Sequence, residues 1–298
     1  MANTRVLVTR RKAVRNTRKI TKTMEKISTA KLAKAQNAAI AARPYSSKLK
    51  EIIGQVASAS AGIQHPLLEA HENPKKVVVI VLTSDRGLAG AFNSNIVKQA
   101  RDLIVGLKAK GRDVVSIVQG KKGIGAFKYL NLTMAERLIG ISDKPTYVRA
   151  ESIADKLIMQ YGNKEVDEVY LVYSAFKGAA SQAPKTEMIL PLSSMKGEDA
   201  AKTAAPAKKE AEGAGYIFHP DARTILTQVL PLVVKMALFT AMLENTASEH
   251  AARRVAMKNA TDSADDMIKA LSRAYNRARQ GKITQEIAEI VGGANSLA

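Results

Sequence analysis

A spacing of alternating steps of four and three, apolar at most positions, runs along the C-terminal quarter of the chain. The series runs Ile225, Val229, Leu232, Met236, Phe239, Leu243, Thr246, His250, Arg253, Met257, Ala260, Ala264, Met267, Leu271, Ala274 and Ala278. Such spacing keeps one seam of a helix against a partner helix. From Glu244 onward there is no proline, and no glycine before Gly281. The pattern predicts one continuous rod, with a function that lies in reach and stiffness. Residues 2 to 43 also lack glycine and proline, and Pro44 is the first breaker. There the 4-3 spacing passes through Ala13, Thr17, Ile20, Met24, Ile27, Lys31 and Lys34, a seam only half apolar. A helix with such a seam is marginal alone and needs a partner. The expected arrangement is an antiparallel two-helix coil made from the two ends of the chain. At 1.5 Å per residue, a C-terminal helix of roughly 65 residues would reach about 100 Å. Its distal part should then protrude or enter another protein. From Glu244 the seam is Thr246, His250, Arg253 and small alanines, which is weak for holding two helices together.

Between the two helices the periodicity changes. Lys76 to Thr83 (KVVVIVLT) is a continuous β-branched run, the mark of a strand buried on both faces. Asp113 to Gln119, Val166 to Ser174 and Thr186 to Leu192 read as further strands, and Tyr216 to Phe218 as one more. Helices are predicted over Leu88 to Lys110, Gly123 to Tyr129 and Thr146 to Tyr161. Strands separated by helices indicate an α/β fold with a doubly wound sheet. The fold class is therefore α/β: a long antiparallel coiled coil of the N- and C-terminal helices plus a small Rossmann-like domain. The expected organisation is an N-terminal coiled-coil helix over 1–60 and an α/β domain over 74–195. A low-complexity insertion over 196–215 (KGEDAAKTAAPAKKEAEGAG) follows, then a C-terminal coiled-coil helix over 216–298. The insertion is rich in Ala, Lys, Glu and Gly and should be flexible.

Composition narrows the function classes. The chain has 298 residues and no Cys, which excludes a disulfide scaffold, a thiolate nucleophile and Cys-ligated zinc. The formal net charge is +19, and residues 1–50 hold fourteen Lys or Arg against the single acid Glu25. A segment of one sign implies an anionic neighbour. Aromatics make up 4% of the chain and none lies in residues 1–44, so a base-stacking platform is missing from the basic helix. An acidic protein partner fits better than nucleic acid. The densest apolar run, Val77 to Leu82, is six residues, and Pro231 and Lys235 interrupt the longer stretch from Val229 to Leu243. Neither approaches the ~20 apolar residues of a membrane span.

Candidate chemistry is sparse. Thr83-Ser84-Asp85-Arg86-Gly87-Leu88-Ala89-Gly90 stands at the C-terminal end of the first strand, where ligands bind in open α/β sheets. A structural turn, with Ser84 or Asp85 capping the next helix, is the favoured reading. Gly120-Lys121-Lys122-Gly123-Ile124-Gly125 resembles a phosphate cradle but lacks the P-loop spacing, so it reads as a basic turn. His65, His71, His219 and His250 make no helical ligand pair, and no metal site is expected. His250 lies on the seam as a packing residue.

Three blocks resemble the gamma subunit of proton-translocating ATP synthase. Residues 11–25 (RKAVRNTRKITKTME) are similar to the family's N-terminal R-I-x-S-V-x-N-T-x-K-I-T-x-A-M-E, and TSDRGLAG is similar to its T-S-D-R-G-L-C-G. ASEHAARRVAMKNATD, YNRARQ and ITQEIAEIVGGA make up the third block. The resemblance implies a rotor shaft that couples proton flow through a membrane c-ring to ATP synthesis or hydrolysis in an alpha-beta catalytic head. It implies the alpha, beta and epsilon subunits and the c-ring as partners. It implies no catalytic site, no cofactor, and no nucleotide or nucleic acid bound by this chain. The α/β domain would be a foot on the c-ring and epsilon. By position, Met24, Arg253, Arg279, Gln280, Thr284 and Glu286 would contact the head, and Ile287 to Leu297 would turn in its apolar bearing. Ser84, Asp85, Arg86 and Gly87 would lie on the epsilon or c-ring side. The expected location is the cytoplasmic face of a bacterial inner membrane. Two other classes compete. A nucleic-acid-binding coiled coil would show a steep salt dependence on DNA, and a small α/β enzyme would lose turnover in Asp85→Ala.

Overall fold

A computed structural model describes residues 4–59, 65–178, 182–193 and 222–295. The insertion 196–215, the expected strand 216–218 and His219 lie outside the described residues. The elements are α1 (Thr4–Ala59), β1 (Lys76–Leu82), α2 (Phe92–Ala109), β2 (Asp113–Gln119), α3 (Lys121–Tyr129), β3 (Glu136–Leu138), α4 (Tyr147–Gly162), β4 (Glu168–Phe176), β5 (Gln182–Leu190) and α5 (Ala222–Asn295). They divide into two compact units, one of Met1–Thr29 with Arg253–Ala298 and one of Ala30–Ala252.

The larger unit is built on a five-stranded sheet of order β3-β2-β1-β4-β5. β1 pairs in parallel with β2 and β4, β2 with β3, while β5 runs antiparallel along the edge of β4. Side chains alternate across a strand, and β1 shows it. Val78, Ile80 and Leu82 enter one core with α4 residues Ala154, Leu157 and Tyr161 and α5 residues Leu230, Val234 and Leu238. Val77, Val79 and Val81 enter the other, with Ile96, Ala100 and Ile104 of α2 and Phe127 of α3. Helices cover both faces, so the central strands carry unbroken apolar runs. One window of α5 is apolar enough by composition to cross a membrane. Its Leu226, Leu230, Val234, Leu238 and Met242 are instead buried in the first core. Lys235, which interrupts that run, reaches Glu151 at 3.0 Å and Asp155 at 2.9 Å, one turn apart on α4.

Two expected boundaries need correction here, and one strand was not foreseen. α1 carries Pro44 inside it and runs from Thr4 to Ala59. Proline's φ is already helical, so it costs one backbone hydrogen bond rather than the helix, and Leu49 beyond it is buried in the first core. α2 begins at Phe92, not Leu88, because Leu88 (φ 63) and Gly90 (φ 56) are left-handed. β5 spans Gln182–Leu190 rather than 186–192 and carries Pro184, which an edge strand tolerates. β3 has three residues, too few to give a periodicity.

In the smaller unit α1 and α5 are antiparallel. Arg11 stacks over the Tyr275 ring at 5.0 Å, Arg18 pairs with Asp265, and the Thr261 hydroxyl donates to Thr21 Oγ1 at 2.8 Å. As the position rises from 11 through 18 to 21, its partner falls from 275 through 265 to 261. The seam differs in phase from the expected one. On α1 the shielded line is Leu7, Arg11, Val14, Arg18, Thr21 and Ser28, whereas Ile20 and Ile27 are exposed at 63% and 45%. On α5 Met257, Thr261 and Ala264 are buried, and Met267 is exposed at 53%. Long cationic side chains cover apolar surface with their stems, so arginines serve where isoleucines were expected.

Candidate functional site

The TSDRG turn leaves the end of β1 and is held by its own side chains. Thr83 and Ser84 are buried. The Ser84 hydroxyl donates to the Arg86 carbonyl at 2.6 Å, and Ser84 N–H donates to Asn93 Oδ1 at 3.0 Å. The Asp85 carboxylate accepts from the backbone N–H of Lys121 (3.1 Å) and Gly140 (3.0 Å) and from the Ser142 hydroxyl (3.0 Å). Asp85 therefore caps α3, not the helix that follows it in sequence; α2 has no side-chain cap. The positive end of α3, where an anionic ligand would bind, is filled by the chain's own carboxylate. The neighbouring glycine motif has an equally structural cause. A Cβ on Gly120 would stand 2.4 Å from Thr83 O, and one on Gly123 2.4 Å from Thr83 Oγ1. These glycines admit β1 rather than a phosphate.

A second group of polar side chains was not legible in the sequence. The loop after β3 presents Ser142 and Asp143. Asp143 Oδ2 lies 2.9 Å from Lys31 Nζ and 3.1 Å from Arg86 Nη2, and its Oδ1 lies 4.0 Å from His250 Nε2. The Thr246 hydroxyl donates to the Ser142 carbonyl at 2.8 Å. Asn245 Oδ1 accepts from Ser174 N–H at 3.0 Å, and the Ser248 hydroxyl donates to the Ser174 carbonyl at 3.0 Å. Thr246 and His250 are 4% and 2% exposed. They are bonded to the loop after β3 and do not form the weak helix–helix seam expected there. The one available signal is the largely polar run Asn245 to His250 directly after the apolar stretch Val229 to Leu243.

Two carboxylates tie distant segments through charge. Burial alone would raise the Asp143 carboxyl, but Lys31, Arg86 and His250 outweigh it and hold it below its ordinary value. Burial likewise opposes Asp167, which the Lys76 N–H, His71 and the Lys75 N–H bring down. His71 Nδ1 lies 2.6 Å from Asp167 Oδ1, and its ring stacks on Tyr161 at 4.7 Å. A lowered folded pKa contributes stability that is present above the unfolded value and lost as pH falls through the folded one. The thermal midpoint should thus hold near neutrality and fall below about pH 4. In Asp167→Asn the midpoint should start lower and depend less on pH in that range.

The expected head-contact residues are strung along helices. Met24 is half-buried on α1, and Arg253 is buried on α5. Arg279, Gln280, Thr284 and Glu286 are exposed on the last stretch of α5. Thr284 Oγ1 donates to the Gln280 carbonyl at 3.0 Å, and Glu286 pairs with Lys282 at 3.4 Å. Of the foot turn, Ser84 is buried and Arg86 exposed, with Asp85 and Gly87 between these limits.

A family model described as ATP synthase matches residues 3–297. The ATP synthase gamma chain of Gemmatimonas aurantiaca is 42% identical over 300 residues, covering 100% of this chain and 99% of the relative. The gamma chain of Pelotomaculum thermopropionicum is 42% identical over 299 residues, with 100% of both chains covered. This chain belongs to the ATP synthase gamma-chain family. Its function is that of the family: the rotor of the central stalk of ATP synthase, a membrane-associated complex of proton transport and ATP synthesis. The fold agrees. A chain from the central stalk and c-ring of Tetrahymena thermophila mitochondrial ATP synthase superposes with a TM-score of 0.57 at 23% identity, covering 81% of this chain and 99% of that one. A chain of the Euglena gracilis mitochondrial ATP synthase gives 0.52 at 20% identity, covering 92% and 94%.

Proposed function

We propose that this gamma chain couples the two halves of its complex through opposite parts of the chain. The last stretch of α5, with Arg279, Gln280, Thr284 and Glu286, works against the alpha and beta subunits of the catalytic head. Met24 and Arg253 belong to the same contact. The observation that carries this reading is an apolar stripe beyond Gln280. Ile283, Ile287, Ile290 and Val291 are exposed at 47%, 56%, 71% and 53%. They recur at helical spacing on one face, as a tip seated in an apolar bearing requires. The basic face of α1 meets the acidic surface of the head.

The α/β domain stands toward the epsilon subunit and the c-ring, and the TSDRG turn takes part through its outer side chains, Arg86 and Leu88. The side chains of Ser84 and Asp85 are engaged internally and serve to shape the turn. The gamma-chain relatives at about 40% identity come from bacteria such as Leptospira biflexa, which supports a place on the cytoplasmic side of a bacterial inner membrane.

Truncation before Arg279 tests the head contact. In the reconstituted complex, ATP-driven proton pumping should fall by roughly fivefold or more, while circular dichroism of the truncated chain keeps the α/β signature. Undiminished pumping by the truncated chain would contradict the assignment.

A further inference from the structure

We infer that Asp143 and its neighbour Ser142 form the joint that fixes the α/β domain to the shaft helices, so that sheet and helices rotate as one body under load. The inference rests on the rotor function stated above. The loop between β3 and α4 is fastened by two adjacent residues to three other parts of the chain. Asp143 meets Lys31 of α1, Arg86 of the TSDRG turn and His250 of α5. The Ser142 carbonyl accepts from Thr246 of α5, and its hydroxyl donates to Asp85.

Apolar packing alone does not give this. Leu230, Val234, Leu238 and Met242 hold α5 against the sheet, but hydrophobic attraction is non-directional. It resists separation far more than rolling or sliding. Hydrogen bonds and ion pairs fix direction as well as distance. Successive residues on a helix point about 100° apart. Asn245 and Ser248 grip Ser174 of β4, while Thr246 and His250 face the Ser142–Asp143 loop. The helix is held on two faces and cannot roll without breaking one set of bonds. That is the property a torque-bearing junction needs, and it explains polar residues buried where an apolar seam would pack as well.

Asp143, Glu249 and His250 bring potential ligand atoms within 4.8 Å of one another. Lys31 and Arg86 already supply the counter-charge to Asp143, so the cluster is a salt-linked joint and not a cation site. Asp143 acts through the helices and is a positioning residue.

The test uses the complete complex in vesicles and in single-molecule rotation with the load on the foot. Asp143→Asn and Thr246→Val should leave unloaded ATP hydrolysis within about twofold of the unmodified complex and lower protons pumped per ATP against an imposed gradient by roughly threefold or more. The torsional stiffness of the stalk should fall in parallel, and Asp143→Glu should recover part of both. Thr246→Val keeps the side-chain shape, so it carries the test where Asp143→Asn fails to assemble. Unchanged stiffness and unchanged pumping per ATP in Thr246→Val would overturn the inference, even with a lowered thermal midpoint. A control complex lacking the chain separates the two readings. Pumping without the chain would defeat the rotor function itself. No pumping there, with stiff and fully coupled variants, would defeat only the joint.

Discussion

Gly120→Ala should unfold the α/β unit at a temperature roughly 10 °C lower, while Gly125→Ala, five residues on, should raise it slightly. Gly120 sits at φ 95, ψ 136 before α3, a conformation that costs an L side chain about 1–3 kcal/mol. The new Cβ would also stand 2.4 Å from Thr83 O and 2.6 Å from Thr83 C. Those are backbone atoms at the end of the central strand β1, so the clash cannot be relieved by turning a rotamer. A further cost of about 1–3 kcal/mol for forced backbone movement follows. Together these approach a large share of the 5–15 kcal/mol that holds an ordinary domain. Gly125 lies on the exposed side of α3 with nothing within 4 Å of its would-be Cβ. Alanine there gains about 0.5–1 kcal/mol by restricting the unfolded chain. Differential scanning calorimetry of the two variants reads both signs. A Gly120→Ala midpoint equal to the unmodified protein would contradict the close approach of α3 to β1.

Asp85→Ala should cost about 2–4 kcal/mol, because three donors lose one charged acceptor together. The Lys121 and Gly140 N–H groups and the Ser142 hydroxyl all converge on this carboxylate. Asp85→Asn should recover only part of the loss, since its NH2 would face a donor. Urea unfolding monitored by circular dichroism measures the difference. The outcome also separates two readings of TSDRG. A structural turn loses stability in Asp85→Ala, whereas a catalytic carboxylate would lose turnover at unchanged stability.

Much of the fold is legible in the residues, and what is not has physical reasons. β2 stands at Asp113–Gln119 as expected, since a strand covered on both faces is rich in β-branched apolar residues. The two long helices are equally plain. Their seam is not, and it lies one position away from the expected line on α1. Ile20 and Ile27 face outward while Arg11 and Arg18 line the pairing. In a subunit of a larger assembly, apolar side chains serve outside partners as well as the chain's own packing. Hydrophobicity then no longer marks the internal seam. The TSDRG turn is visible as a motif, but its work depends on Lys121, Gly140 and Ser142, between 36 and 57 residues away. Asp143 and Lys31 are separated by 112 residues. Pairings across such distances leave no local pattern, and only the folded sheet brings them together.

The family's rotor function joins these observations. Polar anchors at Asn245, Thr246, Ser248 and His250 hold α5 to the sheet, and an apolar stripe follows Gln280 at its far end. A rotor of the central stalk needs its helix held firmly to the sheet, and these anchors supply that hold.

The most direct measurement is ATP-driven proton pumping by the complex reconstituted in vesicles with and without this chain. The account predicts that pumping, followed by quenching of a pH-sensitive dye, disappears when the chain is omitted and returns when the purified chain is added back. Full-rate pumping in its absence would contradict the rotor function.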